Sequence, residues 1–318
     1  MNKNNRRSAL KNMGALSGMA IMNPSFSHSK VIHRTESKNA IGKVLYCLNS
    51  STIRGQKLSL DKEIELASKA GYDGLELWIP VLNEYKKSGK SLKDLNKKIK
   101  DLGLKVFDGI GFAQWIHDDD TARKNALEQA KQEMQMMAEL DCHRIAAPPA
   151  GATDHEINYD VVADRFKALQ EIGIQQGVIP QLELWGFSKT LYKLSQVMYV
   201  ATQCGIPQTR ILLDSFHLFK GGSHPDALKL IGAEAIEIFH VNDYSSTAQR
   251  STITDADRIY PSDGAAPYNT IIKDLTANRP QVILSLELFN AEYYKQDAAT
   301  VLKTGIEKVK AVVKKALG

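Results

Sequence analysis

Four side chains able to bind a cation stand at the ends of four short apolar runs. They are Glu183 in PQLELWGF, Asp214 in ILLDSFH, His240 in IEIFHVND and Glu287 in VILSLELF. Three carboxylates and one imidazole suit a single divalent ion, Mn, Zn or Co, with Mg also open. The separations are 31, 26 and 47 residues. Such residues can meet only if the runs are parallel strands whose ends converge on one rim. A lone strand-end acid is as well explained by an ion pair or a helix cap. Four in succession point to a metal centre and metal-assisted catalysis.

Other residues with chemical potential cluster near these runs. His217 follows Asp214 by three residues, placed to bind a substrate hydroxyl or to orient the aspartate. Lys220 in HLFKGG is within reach of the same strand end. Arg258, on the loop ITDADRIYPSDG, offers a planar fork of donors to substrate oxygens. Glu76 ends the run LELW, and Trp115 in GFAQW joins Trp78 and Trp185 on what would be rim loops, where aromatic faces suit a sugar ring.

The elements that would position these residues alternate along the chain. Strand signals fall at 43–48, 74–78, 105–110, 144–147, 179–184, 210–213, 236–241 and 281–287. Helical patterns lie between them at 60–70, 91–102, 121–140, 160–176, 190–204, 225–231 and 268–277, and a last one at 298–317. Gly71, Gly103 and Gly205 suit helix exits, and Asp61 and Ser91 sit where N-caps belong. Eight βα units over about 280 residues predict one (β/α)8 TIM barrel, residues 40–318, with its active site at the C-terminal ends of the strands. An open α/β sheet is the alternative, but neither G-x-G-x-x-G nor GxxxxGK[ST] is present. The longest connection, 242–267, is long enough to be functional.

Charge is unevenly distributed. Of 41 Lys and Arg, seven lie in residues 1–38 beside one acid, leaving 34 basic against 35 acidic residues in the rest. No basic stripe remains to bind nucleic acid. Residues 1–29, or out to about 38, read as an export signal: Arg6-Arg7, a mildly apolar stretch to Met22, then Ser25 and Ser27. The paired arginines resemble a twin-arginine signal and imply a periplasmic protein, although Asn5 and Ala9 depart from that pattern. The apolar stretch is too short for a stable membrane anchor. Three cysteines, Cys47, Cys142 and Cys204, form neither a disulfide framework nor a zinc ribbon.

LELWGF, LLDSFH, FHVND, DRIYPSDG and LSLELFNAEYY together resemble the sugar isomerase/epimerase family with a xylose-isomerase-like barrel, nearest to inosose (2-keto-myo-inositol) isomerases, over about residues 41–315. The resemblance implies a divalent metal on Glu183, Asp214, His240 and Glu287. It implies an acid/base pair in Glu183 and Glu287, and substrate contacts from His217 and Arg258. Ser262 stands where the family's turn has its first glycine. The implied reaction is isomerisation or epimerisation of an unphosphorylated keto-sugar or keto-cyclitol through an enediolate. A lyase or dehydratase acting on 3-keto-glycosides or inosose would need the same first proton abstraction. A barrel that binds sugar without catalysis, and an endonuclease relative, are further readings; the near-neutral body of the chain argues against the endonuclease. The expected partner is a small molecule, with a homo-oligomer open.

Overall fold

The computed structural model describes residues 42–277 and 279–318; the leader lies outside them. Eight parallel strands run β1 (Lys43–Asn49), β2 (Gly74–Trp78), β3 (Lys105–Ile110), β4 (Arg144–Ala147), β5 (Ile179–Glu183), β6 (Arg210–Asp214), β7 (Ile238–Val241) and β8 (Gln281–Leu286). Their hydrogen-bonded order is β3-β2-β1-β8-β7-β6-β5-β4, so β1 pairs with β8 and the sheet curls round. β3 and β4 lie against each other to complete a nearly closed barrel.

The outer layer contains helices α1 (Leu60–Ala70), α2 (Ile79–Lys87), α3 (Leu92–Asp101), α4 (Asp120–Glu139), α5 (Tyr159–Gln176), α6 (Leu194–Gln203), α7 (Ser215–Gly221), α8 (Tyr268–Thr276), α9 (Ala291–Tyr294) and α10 (Ala298–Leu317). Most strand and helix ends fall within two residues of the sequence pattern. The expected helix 225–231 is a 3-10 turn, Pro225–Leu230, and α2, α7 and α9 were not foreseen. Ser59, not Asp61, caps α1, its hydroxyl accepting from the Lys62 amide. Asp61 sits in the first turn and bridges Lys90 and Lys98 instead.

Side-chain alternation decides what faces the lumen. Leu213, Phe239, Leu284 and Leu286 point outward into the large core between sheet and helices. Each such side chain contributes roughly 1.5–3 kcal/mol by burial. Their neighbours Leu212, Ile238 and Ile283, with Cys47, Phe107 and Ile110, form a separate apolar plug inside the barrel. Two residues further along the same inward face come Asp214, His240 and Ser285, and Glu287 two beyond that. The polar rim is therefore the next layer above an apolar floor. Among the described residues, no helix is long and apolar enough to cross a membrane.

Candidate metal centre and active site

Strand register brings the ligands together. Asp214 and His240 are direct partners across β6 and β7, and His240 faces Ser285 across β7 and β8, two residues before Glu287. One ligand atom each from Asp214, His240 and Glu287 lies within 4.8 Å of the others. His240 Nδ1 is 3.2 Å from Glu287 Oε2 and 3.9 Å from Asp214 Oδ2. That nitrogen is wholly buried and has no aligned hydrogen-bond partner. Glu183 enters the same cavity from the end of β5, outside that triangle.

An orphaned imidazole nitrogen facing two carboxylates fits a divalent cation. The other ring nitrogen, Nε2, is 3.1 Å from Glu76 Oε1, an arrangement that frees Nδ1 as a ligand. Burial opposes a charge on His240, but Glu287 and Glu76 outweigh it and raise its pKa well above the ordinary value. Burial pushes the Glu183 carboxyl up to about 8; His240 opposes this and Glu287 adds to it. Asp214 goes the other way: burial would raise it, yet Arg258, His217 and His240 hold it at about 2.

Arg258 comes from the long loop and is 1% exposed. Its Nη1 donates to Asp214 Oδ2 and to Glu287 Oε2, both at 2.7 Å. Its Nη2 lies 3.1 Å from His217 Nε2, and Nε donates to Asp255 at 3.0 Å. The surrounding carboxylates more than offset the cost of burying the guanidinium. Burial lowers His217 to about 4, so its ring is neutral near pH 7. With Nε2 accepting from Arg258, the proton of His217 belongs on Nδ1, a buried atom without a protein partner.

Local sequence explains these placements. Asp214 both ends β6 and caps α7, its Oδ1 accepting from the His217 amide at 2.9 Å. This D-S-F-H turn holds His217 one turn beyond the aspartate. Asp243 gathers the loop: its carboxylate accepts from the amides of Tyr244, Ser262, Gly264 and Ala266. A short antiparallel bridge, Asp243 with Ile259, then aims Arg258 inward.

A cavity of about 340 Å³ opens above these groups. Glu183, Glu287, His217 and Arg258 line its floor, with Asp255 beside them. Trp78 and Trp185 wall it, as aromatic rim residues should. Phe112, Phe187, Phe289 and Arg54 also line it and were not anticipated, because nothing in their spacing separates them from ordinary core and loop residues. A larger cavity, about 590 Å³, lies at the opposite ends of the strands, where Asp141 is the one carboxylate among its lining residues and is bridged to Lys100.

Three expected substrate contacts are corrected. Trp115 is 1% exposed; its indole packs on Phe166 and donates to the Pro148 carbonyl at 2.8 Å, so it builds the rim wall from behind. Glu76 is wholly buried below the cavity, bonded to Asn49, Ser285 and His240. Lys220 donates to the Arg250 and Ile253 carbonyls, tethering the long loop rather than reaching the cavity.

Known proteins resemble this chain along most of its length. An inosose isomerase from Bacillus velezensis is 27% identical over 275 residues, 85% of this chain and 97% of that one. A 3-dehydroshikimate dehydratase from Pseudomonas putida is 23% identical over 255 residues, which are 77% of this chain and 39% of that enzyme. The crystal structure of the IOLI protein with a bound zinc atom superposes with a TM-score of 0.80 at 26% identity, covering 86% of this chain and 99% of the other. Residues 64–312 match the family model described as xylose isomerase-like TIM barrel. On fold and on sequence, the chain belongs to the xylose isomerase-like TIM barrel family.

Proposed function

We propose that this protein is a divalent-metal-dependent isomerase or epimerase of unphosphorylated keto-sugars or keto-cyclitols, with Glu183 and Glu287 as its acid/base pair. The observation that carries the proposal is the convergence of Asp214, His240 and Glu287 at one end of the barrel, with Glu183 and Glu287 lining one cavity there. Similarity to inosose isomerases over nearly their whole length supports it.

Asp214, His240 and Glu287, with Glu183, would hold the ion, Mn, Zn or Co by donor type and Mg less well. When bound, the ion acts as a Lewis acid on a substrate carbonyl and acidifies the adjacent C–H. One glutamate takes that proton, giving an enediolate. The other returns a proton to the opposite face for epimerisation, or to the neighbouring carbon for isomerisation. Arg258 presents a fixed positive charge beside the developing oxyanion, and neutral His217 lines the floor and holds the Arg258 fork through Nε2. The aromatic walls exclude water from the floor.

Incubating the metal-loaded protein with ketoses and inososes in D2O tests this reading. Deuterium at the α-carbon of a product of otherwise unchanged mass is expected, and its loss in Glu183→Gln or Glu287→Gln. The dehydratase relative favours a second reading, a lyase that begins with the same abstraction and then expels a β-leaving group. Loss of water or an aglycone from the substrate would select it.

We also propose that the enzyme acts after export, on the strength of the Arg6-Arg7 leader. Replacing both arginines with lysine is expected to leave the full-length protein in the cytoplasmic fraction; unchanged periplasmic recovery would refute that.

A further inference from the structure

The cavity walls are more apolar than a free keto-sugar needs. Phe289, Trp78, Phe112, Trp185 and Phe187 follow one another round the opening, with ring centroids 6.1, 5.2, 6.2 and 5.1 Å apart. Phe187 then meets His217 at 5.6 Å, which joins this collar to the polar floor. The five rings come from the ends of β2, β3, β5 and β8 and all line the cavity. Arg54 lies over the Trp78 and Phe289 rings at 5.4 and 4.9 Å and clamps one side of the arc. The collar offers few donors: three of its five rings are phenylalanines, and the Trp78 indole N–H is given to Asn49.

A pyranose or cyclitol whose reacting edge sits on the floor can stack one or two of these rings with its C–H face. The others stay wet, and a continuous arc of aromatic rings along a cavity wall marks a place for apolar contact. We infer that the site takes a keto-glycoside, whose reacting ring occupies the floor and whose second ring, aryl or sugar, fills the aromatic collar. The inference rests on the keto-sugar chemistry proposed above and narrows its substrate class.

The test uses the full chain with Mn²⁺ present and reads tryptophan fluorescence, to which Trp78 and Trp185 report from the collar. Unreactive probes separate binding from turnover: phenyl β-D-glucoside, methyl β-D-glucoside and myo-inositol. The phenyl glucoside is expected to bind about tenfold more tightly than the methyl glucoside. Folded Phe289→Ala and Phe112→Ala variants should lose most of that preference. An advantage below about twofold in the unmodified protein, no saturable binding of the phenyl glucoside, or an undiminished preference in both folded variants would overturn the inference. Turnover of free ketoses without any glycoside preference would sink this inference and leave the isomerase reading standing. A phenyl preference with no turnover of any ketone would instead overturn the isomerase reading and the keto group of the inferred substrate, leaving the collar as a site for the second ring of a glycoside.

Discussion

Glu76 Oε1 lies 3.1 Å from His240 Nε2, and both side chains are wholly buried. The contact fixes the ring orientation and leaves Nδ1 aimed at Asp214 and Glu287. Glu76 is thus placed to position His240 for the proposed metal centre. Truncating it, Glu76→Ala, is expected to weaken Mn²⁺ or Zn²⁺ binding by about 10–100-fold. Glu76→Gln, which keeps an acceptor oxygen, should lose less. Competition against a chromophoric chelator measures both, and unchanged affinity in a folded Glu76→Ala protein would remove the role.

Cation binding should expel protons. The raised pKa of His240 means that it holds a proton that a cation must displace, and Glu183, at about 8, holds another. Both shifts run upward, so apparent metal affinity should rise with pH from about 6 through 8. Titration calorimetry in buffers of different ionisation enthalpy should register net proton release at pH 7. A pH-independent affinity between 6 and 8 contradicts the assignment.

His217 titrates in the opposite sense. Its folded pKa of about 4 lies below the ordinary 6.5, so the unfolded chain binds the proton more readily. The stability it contributes is present above about pH 6.5 and is lost as pH falls toward 4, by on the order of 3 kcal/mol. Thermal melts of the protein and of His217→Gln across this window should diverge at neutral pH and converge toward pH 4.

Ser262 carries a strained backbone. Its φ is +79°, in the region that favours glycine, while its amide donates to Asp243 and its side chain is exposed. Ser262→Gly is expected to stabilise the protein by about 0.5–1 kcal/mol, raising Tm by roughly 1–3 °C. A lower Tm would show that the hydroxyl contributes something the structure does not display.

The acid/base pair should show in the rate. Glu287→Gln and Glu183→Gln are each expected to lower kcat on a ketone substrate by about 10²–10⁴-fold. Melting temperatures within a few degrees of the parent would separate lost chemistry from lost folding. Turnover near the parental rate in either variant rules that residue out as acid or base.

Much of this was legible in the chain. Period-two alternation and glycine exits mark eight βα units, and one ligand per strand end implies a shared rim, because strand periodicity and barrel closure are local rules applied eight times. Asp214, His240 and Glu287 meet as that geometry requires, and Arg258 arrives from the loop that carries it. What sequence alone left open is which side of the rim each remaining group faces. Trp115, Trp78 and Trp185 are chemically alike, yet only the last two line the cavity. Glu76 turns out to lie beneath the candidate metal ligands and Lys220 to serve as a loop tether. Phe112, Phe187 and Phe289 become a collar only once four strand ends are brought round one opening. The sequence determined the elements and the ligand types, since these depend on neighbours along the chain. The tertiary structure decided depth, partner and facing, because those depend on residues up to 238 positions apart, as where Asn49 donates to Glu287.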